Sequence, residues 1–361
     1  MTNALFSPFQ LRELTLPNRV VVSPMCQYMS HNGDANDWHL MHLGQFAMGA
    51  GGVLFTEATH VSAVGRISHR CLGLYSDSNE QTLQRVIDFC RRYGVAKLGI
   101  QLAHAGRKGS AHPPAQGGKP LAAGEQPWTT VAPSALAFGP GWHVPEALSQ
   151  AGLGEVKQQF VHAAQRAARI GFDLAELHVG HGYLLHEFLS PISNQRTDGY
   201  GGSTANRMRF PLEVFAAVRA VWPAARPLGV RVSATDWVDG GWTPEETVQF
   251  ARELKALGCD FLDATSGQLD PRQVIPFAPG YNVAFAERVR REAGIATMAV
   301  GMITRARQAD QIVASGQADL VAIARAMMDD PRWAWHAARE LGAQAPYAAN
   351  YQRCHPDVWK P

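Results

Sequence analysis

The sequence predicts a (β/α)8 barrel, and three observations carry that prediction. Short β-branched or apolar runs alternate with longer amphipathic stretches through most of the 361 residues, giving eight strands in turn. Such alternation implies parallel strands joined by right-handed crossovers. The GxGxxG that would follow the first strand of an open doubly wound sheet is missing, and eight repeats suit a closed barrel better. A single domain over residues 1–361 is expected, with its barrel spanning about residues 18 to 342.

The elements are expected in this order. Val20–Met25 is the first strand and Trp38–Ala50 the helix after it. Gly52–Ala58 is the second strand, and the helix Glu80–Tyr93 follows, with Leu83, Val86, Ile87 and Cys90 at three-to-four spacing. Lys97–Ala103 is the third strand. The helix Val156–Ile170 leads into the fourth, Phe172–Val179. Arg207–Trp222 is helical, Leu228–Ser233 is the fifth strand, and Pro244–Leu257 is a helix with proline at its start and Gly258 just past its end. Phe261–Thr265, Ala296–Val300 and Leu320–Ala324 complete the strands. The helices Ala284–Glu292, Arg305–Ala314 and Trp333–Leu341 complete the outer ring.

Two stretches break the rhythm. Residues 105–154, rich in Gly, Pro and Ala, separate strand three from its helix, far longer than the usual connection. Trp128, Phe138 and Trp142 give this insertion enough apolar mass to pack, so an ordered lid is expected. The tail 346–361 carries Tyr347, Tyr351, Arg353 and Trp359; these rings pack either on their own barrel or on a neighbouring subunit.

Composition narrows the function. A net charge of +2 gives no reason to expect nucleic acid or an anionic membrane as partner, and no apolar window is long enough to span a bilayer. Arg12, Glu13 and Pro17 occupy the place where a secretion signal needs an apolar core, and the five cysteines are scattered rather than paired. A reducing cytoplasm is therefore expected. No cysteine cluster follows the barrel, as an iron–sulfur centre would require.

Barrel enzymes place their chemistry at the C-terminal ends of the strands. Strand four delivers His178, His181 and Tyr183 within six residues. Two imidazoles can donate hydrogen bonds to a substrate oxygen, and a phenol can deliver a proton to a neighbouring carbon. Taken alone, the pair reads more readily as loop histidines with a capping role. Strand one is followed by Pro24, Met25, Cys26 and Tyr28; strand two ends at Glu57-Ala58; strand three carries Gln101 and His104; strand six leads into Thr265-Ser266-Gly267. Gly301 after strand seven and Arg325 after strand eight stand where barrels commonly bind phosphate: glycine lets backbone N–H groups approach the anion, and arginine clamps it. Gly301 alone reads equally well as a tight turn; its pairing with Arg325 favours the phosphate. Arg231, inside the apolar fifth strand, is costly unless an anion or an acceptor-rich group meets it; a structural carboxylate is the competing partner. A phosphate, a planar acceptor-rich ring and paired imidazoles together suggest flavin mononucleotide (FMN) beneath a carbonyl substrate, although spacing alone does not name the cofactor. HxxH with His104 or His186 leaves a metal-dependent hydrolase as one alternative, and a catalytically silent flavin-binding barrel is another.

At this point the chain resembles the Old Yellow Enzyme family of flavin-dependent ene-reductases, in its thermophilic-like branch with the bacterial xenobiotic reductases. The resemblance rests on Ser23-Pro24-Met25-Cys26-Gln27-Tyr28, on Gln101-Leu102-Ala103-His104-Ala105-Gly106-Arg107, and on His178 through Ser190–Gly202. It implies a single metal-free barrel binding FMN and using NADPH or NADH to reduce an activated alkene by a ping-pong cycle. His178 and His181 would hold the substrate oxygen and Tyr183 would supply the proton. Pro24, Met25, Cys26, Ala58, Gln101 and Arg231 would surround the flavin ring, with Gly301 and Arg325 on its phosphate. Tyr28 would line the substrate pocket, and Arg353 and Trp359 would reach into a neighbouring subunit of a homodimer or dimer of dimers. Met302 stands where some relatives have an aromatic residue, so the pocket shape is expected to differ there.

Overall fold

A computed structural model describes residues 3–49 and 51–359. Met1 and Thr2, the helix end expected at Ala50, and Lys360 and Pro361 of the tail lie outside the described residues. Eight parallel strands close into a barrel in simple sequential order. They are Val20–Val22, Val53–His60, Lys97–Ala103, Leu174–Val179, Leu228–Ser233, Phe261–Thr265, Ala296–Ala299 and Leu320–Ile323, here called strands one to eight.

Alternation along each strand sorts side chains between two cores. On strands one, six and eight, Val21, Phe261, Leu320 and Ala322 point into the barrel, while Val20, Val22, Leu262, Val321 and Ile323 point out against the helices. Two rings fill the lower interior: Phe55 and Phe261 face each other with centroids 6.4 Å apart. Gly99 and Gly229 make room for them. A Cβ at Gly99 would lie 2.6 Å from the Phe55 ring, and one at Gly229 would lie 2.2 Å from Phe261. A hairpin of Phe9–Leu11 and Leu14–Leu16, not foreseen from the sequence, lies below, and its Leu11 and Leu16 join the same buried cluster.

Local signals explain most helix starts. Ser76, Ser149, Ser203 and Thr243 each accept an N–H from the first turn of their helices. Ser149 starts the helix Gln150–Ile170 six residues before the sequence expectation. Strand one stops at Val22 rather than Met25, because Pro24 has no N–H for a ladder. The short helix Leu184–Leu189 was not foreseen; Tyr183 at its N-cap makes no side-chain cap hydrogen bond.

Residues 105–149 hold three short 3-10 turns and a two-stranded ribbon, Val131–Ala132 with Glu146–Ala147. Phe138 and Trp142 pack edge to face at 4.9 Å. In the tail, Tyr347 stacks on Trp335 at 4.2 Å and Tyr351 packs beside them, so these two rings bury against their own chain. No helix is long and apolar enough to cross a membrane among the described residues.

Candidate active site

The upper end of the barrel gathers most of the residues singled out above. A cavity of about 400 Å³ is lined by His181, Arg231, Thr265, Gly301, Arg325 and the pair Tyr281 and Asn282, among others. Gly301 has φ +119°, and a Cβ there would come within 3.0 Å of Tyr281 and 3.1 Å of Asn282. A side chain at 301 would therefore crowd two residues that also line this cavity.

Strand four supplies the chemistry. His178 is its fifth residue and points inward; His181 follows in the turn with φ +56°. Ser233 at the end of strand five holds that turn, its Oγ accepting the His181 N–H at 2.8 Å. His178 Nε2 lies 3.2 Å from His181 Nδ1, and His181 Nε2 lies 3.0 Å from Thr265 Oγ1. Buried His178 Nδ1 has no partner among the described residues. Burial, and next the positive Arg231, hold both imidazoles well below the ordinary histidine range, so both are neutral at pH 7.

Tyr183 lies with its ring centroid 5.3 Å from that of His178. It packs in a satellite cluster with Cys26, Tyr28, Ile67, Cys71 and Ala105. Burial raises the Tyr183, Tyr28 and Cys26 pKa values, so each keeps its proton. Ala58 and Gln101 pair across strands two and three, just after a register shift between Phe55 and Ala58 that re-aims the end of strand two. Pro24 and Met25 are half-buried after strand one.

Arg231 has the carboxylate that the sequence left open: its Nε is 3.0 Å from Asp263 Oδ2. The contact is off the N–H axis, and this buried Nε makes no hydrogen bond among the described residues. The guanidinium can therefore meet an acceptor-rich ring in the cavity. With Gly301 and Arg325 at the far end, the residues present fit FMN. Among the described residues, no three His, Cys, Asp or Glu side chains are grouped to hold a metal ion.

Arg353 and Trp359 are not brought to this cavity within the chain. Both are exposed, and Trp359 lies under the Arg339 guanidinium at 5.3 Å. Sequence reasoning missed Lys108, although it directly follows the quoted Gln101–Arg107 motif. Its Nζ donates to the His181 and Gln268 carbonyls at 2.9 and 2.8 Å and sits 5.2 Å from the Tyr183 ring centre. Burial lowers it to about 7. Glu176 of strand four was missed as well, since one carboxylate in an apolar run carries no recognisable spacing.

The neutral histidines have a consequence for stability. Burial lowers His60 to about 4 and His104 to about 3. An unfolded histidine protonates below about pH 6.5 while these do not, so their contribution is complete above that pH and is lost as pH falls towards 3–4. Each represents on the order of 3 kcal/mol. Glu176 and Glu187, pushed up to about 8, act with the opposite sign. The test is therefore a comparison: urea midpoints of wild type and His104→Gln should converge as pH falls from 6.5 to 4. A constant gap would contradict the assignment.

The class follows from comparison with known proteins. The family model of the NADH:flavin oxidoreductase / NADH oxidase family matches residues 4–344, and the chain belongs to that family. An NADPH dehydrogenase of Geobacillus sp. (strain WCH70) is 43% identical over 355 residues, covering 98% of this chain and 99% of the relative. The NADPH dehydrogenase of Bacillus subtilis (strain 168) is 41% identical over 355 residues, with the same coverage. Among solved structures, morphinone reductase superposes with a TM-score of 0.79 at 28% identity, covering 96% of this chain and 91% of that one. The chain is an oxidoreductase of the NADPH dehydrogenase type, with FMN as cofactor and NAD(P)H as partner.

Proposed function

We propose that this oxidoreductase is an ene-reductase that reduces the C=C bond of α,β-unsaturated carbonyl compounds, and of nitroalkenes. The observation that carries this reading is the pair of neutral imidazole nitrogens 3.2 Å apart beside the half-buried Tyr183 phenol. With His178 carrying its proton on Nε2 and His181 on Nδ1, an oxygen placed about 3 Å from both would displace their mutual contact and meet two donors. When bound, FMN supplies the hydride that it has received from NAD(P)H.

The chain's residues do the rest. His178 and His181 orient the substrate oxygen and stabilise the negative charge that develops on it, which makes the β-carbon electrophilic. Tyr183 Oη gives its proton to the α-carbon, and the raised pKa keeps that proton in place until then. Arg231, Gln101, Ala58, Pro24, Met25 and Cys26 surround the flavin ring, with Gly301 and Arg325 on the phosphate. Tyr28 lines the substrate side, and the 105–154 insertion serves as a lid that limits water. Arg353 and Trp359, exposed and remote from their own cavity, reach the mouth of a second copy in a homodimer or dimer of dimers in the cytoplasm.

An anaerobic visible spectrum tests the reading directly. The purified protein should show flavin bands that bleach with NADPH and return on adding 2-cyclohexenone. Bleaching without recovery would keep the NADPH dehydrogenase activity and remove the enone reading.

A further inference from the structure

Beside Arg231 lie two carboxyl groups that the proposed chemistry does not use. Strands four, five and six are neighbours, and Asp263 is in register with Arg231 while Glu176 is in register with Gly229. Glu176 is 0% exposed, Asp263 1% and Arg231 7%, so two carboxyl groups and one guanidinium share a dry interior. Their hydrogen bonding is incomplete. Gln101 Nε2 donates to Glu176 Oε1 at 2.8 Å, and Arg231 Nε approaches Asp263 Oδ2 at 3.0 Å. Glu176 Oε2 and Asp263 Oδ1 are both buried with no partner among the described residues.

We propose that Glu176 and Asp263 hold one proton between them beneath Arg231, and that this pair couples solution pH to the reduction potential of the flavin. The coupling rests on the reading that the flavin ring lies over Arg231. Two buried carboxylates against one guanidinium leave a net negative charge with no water to solvate it, and binding a proton removes the excess. The proton also supplies one donor to the unpartnered oxygens. Burial, and next the charge of Asp263, push Glu176 up to about 8, and burial raises Asp263 as well. The other groups facing the pair do not neutralise it. Gln101 on strand three is uncharged, and His178, two residues along strand four, is held neutral. The inward side chains Val21, Phe55, Met298 and Ala322 of strands one, two, seven and eight are apolar. Negative charge arriving at the flavin on reduction raises the proton affinity of the pair, so reduction draws a proton into the barrel floor.

The experiment uses the FMN-loaded protein, wild type and Glu176→Gln, with Asp263→Asn as the second variant should the first fail to fold. Infrared difference spectra at pH 7 should show the carbonyl stretch of a protonated carboxylic acid in wild type. That band should be lost in either variant, while the contribution of Glu187 stays. Potentiometric titration from pH 6 to 10 should show extra proton uptake on reduction near pH 8 in wild type, absent in the variant. An unchanged infrared band would overturn the shared proton. A lost band with identical pH dependence of the potential in both proteins would overturn the coupling. The infrared test can also be read without flavin, so failure to bind FMN would count against the functional reading and leave the shared proton on trial.

Discussion

Replacing His178 and His181 together with alanine is expected to lower kcat/KM for 2-cyclohexenone by at least about 10²–10³, the effect of removing one preorganised donor from a developing oxyanion. Bleaching of the flavin by NADPH should persist, because hydride leaves the nicotinamide without negative charge building up on an oxygen. A phenol is expected to give a charge-transfer band with the wild-type protein, and the double variant should lose it, since a phenolate needs the same two donors. Both must go because the two nitrogens lie only 3.2 Å apart, close enough for one oxygen to reach either, and a single substitution leaves one donor behind. The imidazoles are neutral through burial and the nearby Arg231, so enone reduction should show no histidine inflection between pH 6 and 8. An intact phenol band in the double variant would assign the donors elsewhere.

Tyr183→Phe is the second large effect. A positioned proton donor contributes roughly 10²–10⁴ in rate, so stopped-flow enone reduction should slow by that factor while reduction of the flavin by NADPH stays within about two-fold. Phenylalanine keeps the ring that packs on Ile67, Cys71 and Ala105, so folding should be preserved. Equal loss in both half-reactions would remove Tyr183 from the donor role. Residual turnover is expected to respond to buffer concentration, because solvent then has to supply the proton.

Much of this was legible in the sequence, for identifiable reasons. Strands three, five and six fall at the expected residues, because strands buried on both faces are short continuous apolar runs between breakers. His178, His181 and Tyr183 were visible because they follow such a run at the end where barrels work. The N-terminal hairpin was not visible: each strand has three residues, and Arg12 turns the chain with φ +50° where no glycine marks it. The partner of Arg231 was open in the sequence because Asp263 lies 32 residues away and becomes its neighbour only through the register of strands five and six. Glu176 and Lys108 were hidden for a similar reason, since their significance depends on what faces them across the barrel.

The hairpin at the foot of the barrel has one more effect. With Leu11 and Leu16 in one buried cluster with Phe55 and Phe261, the foot of the barrel is plugged by packed side chains, and the cavity lined by His181, Arg231 and Gly301 lies at the opposite end. Under the proposed ene-reductase cycle, reductant and alkene use that one cavity in turn, so an excess of either should slow the other.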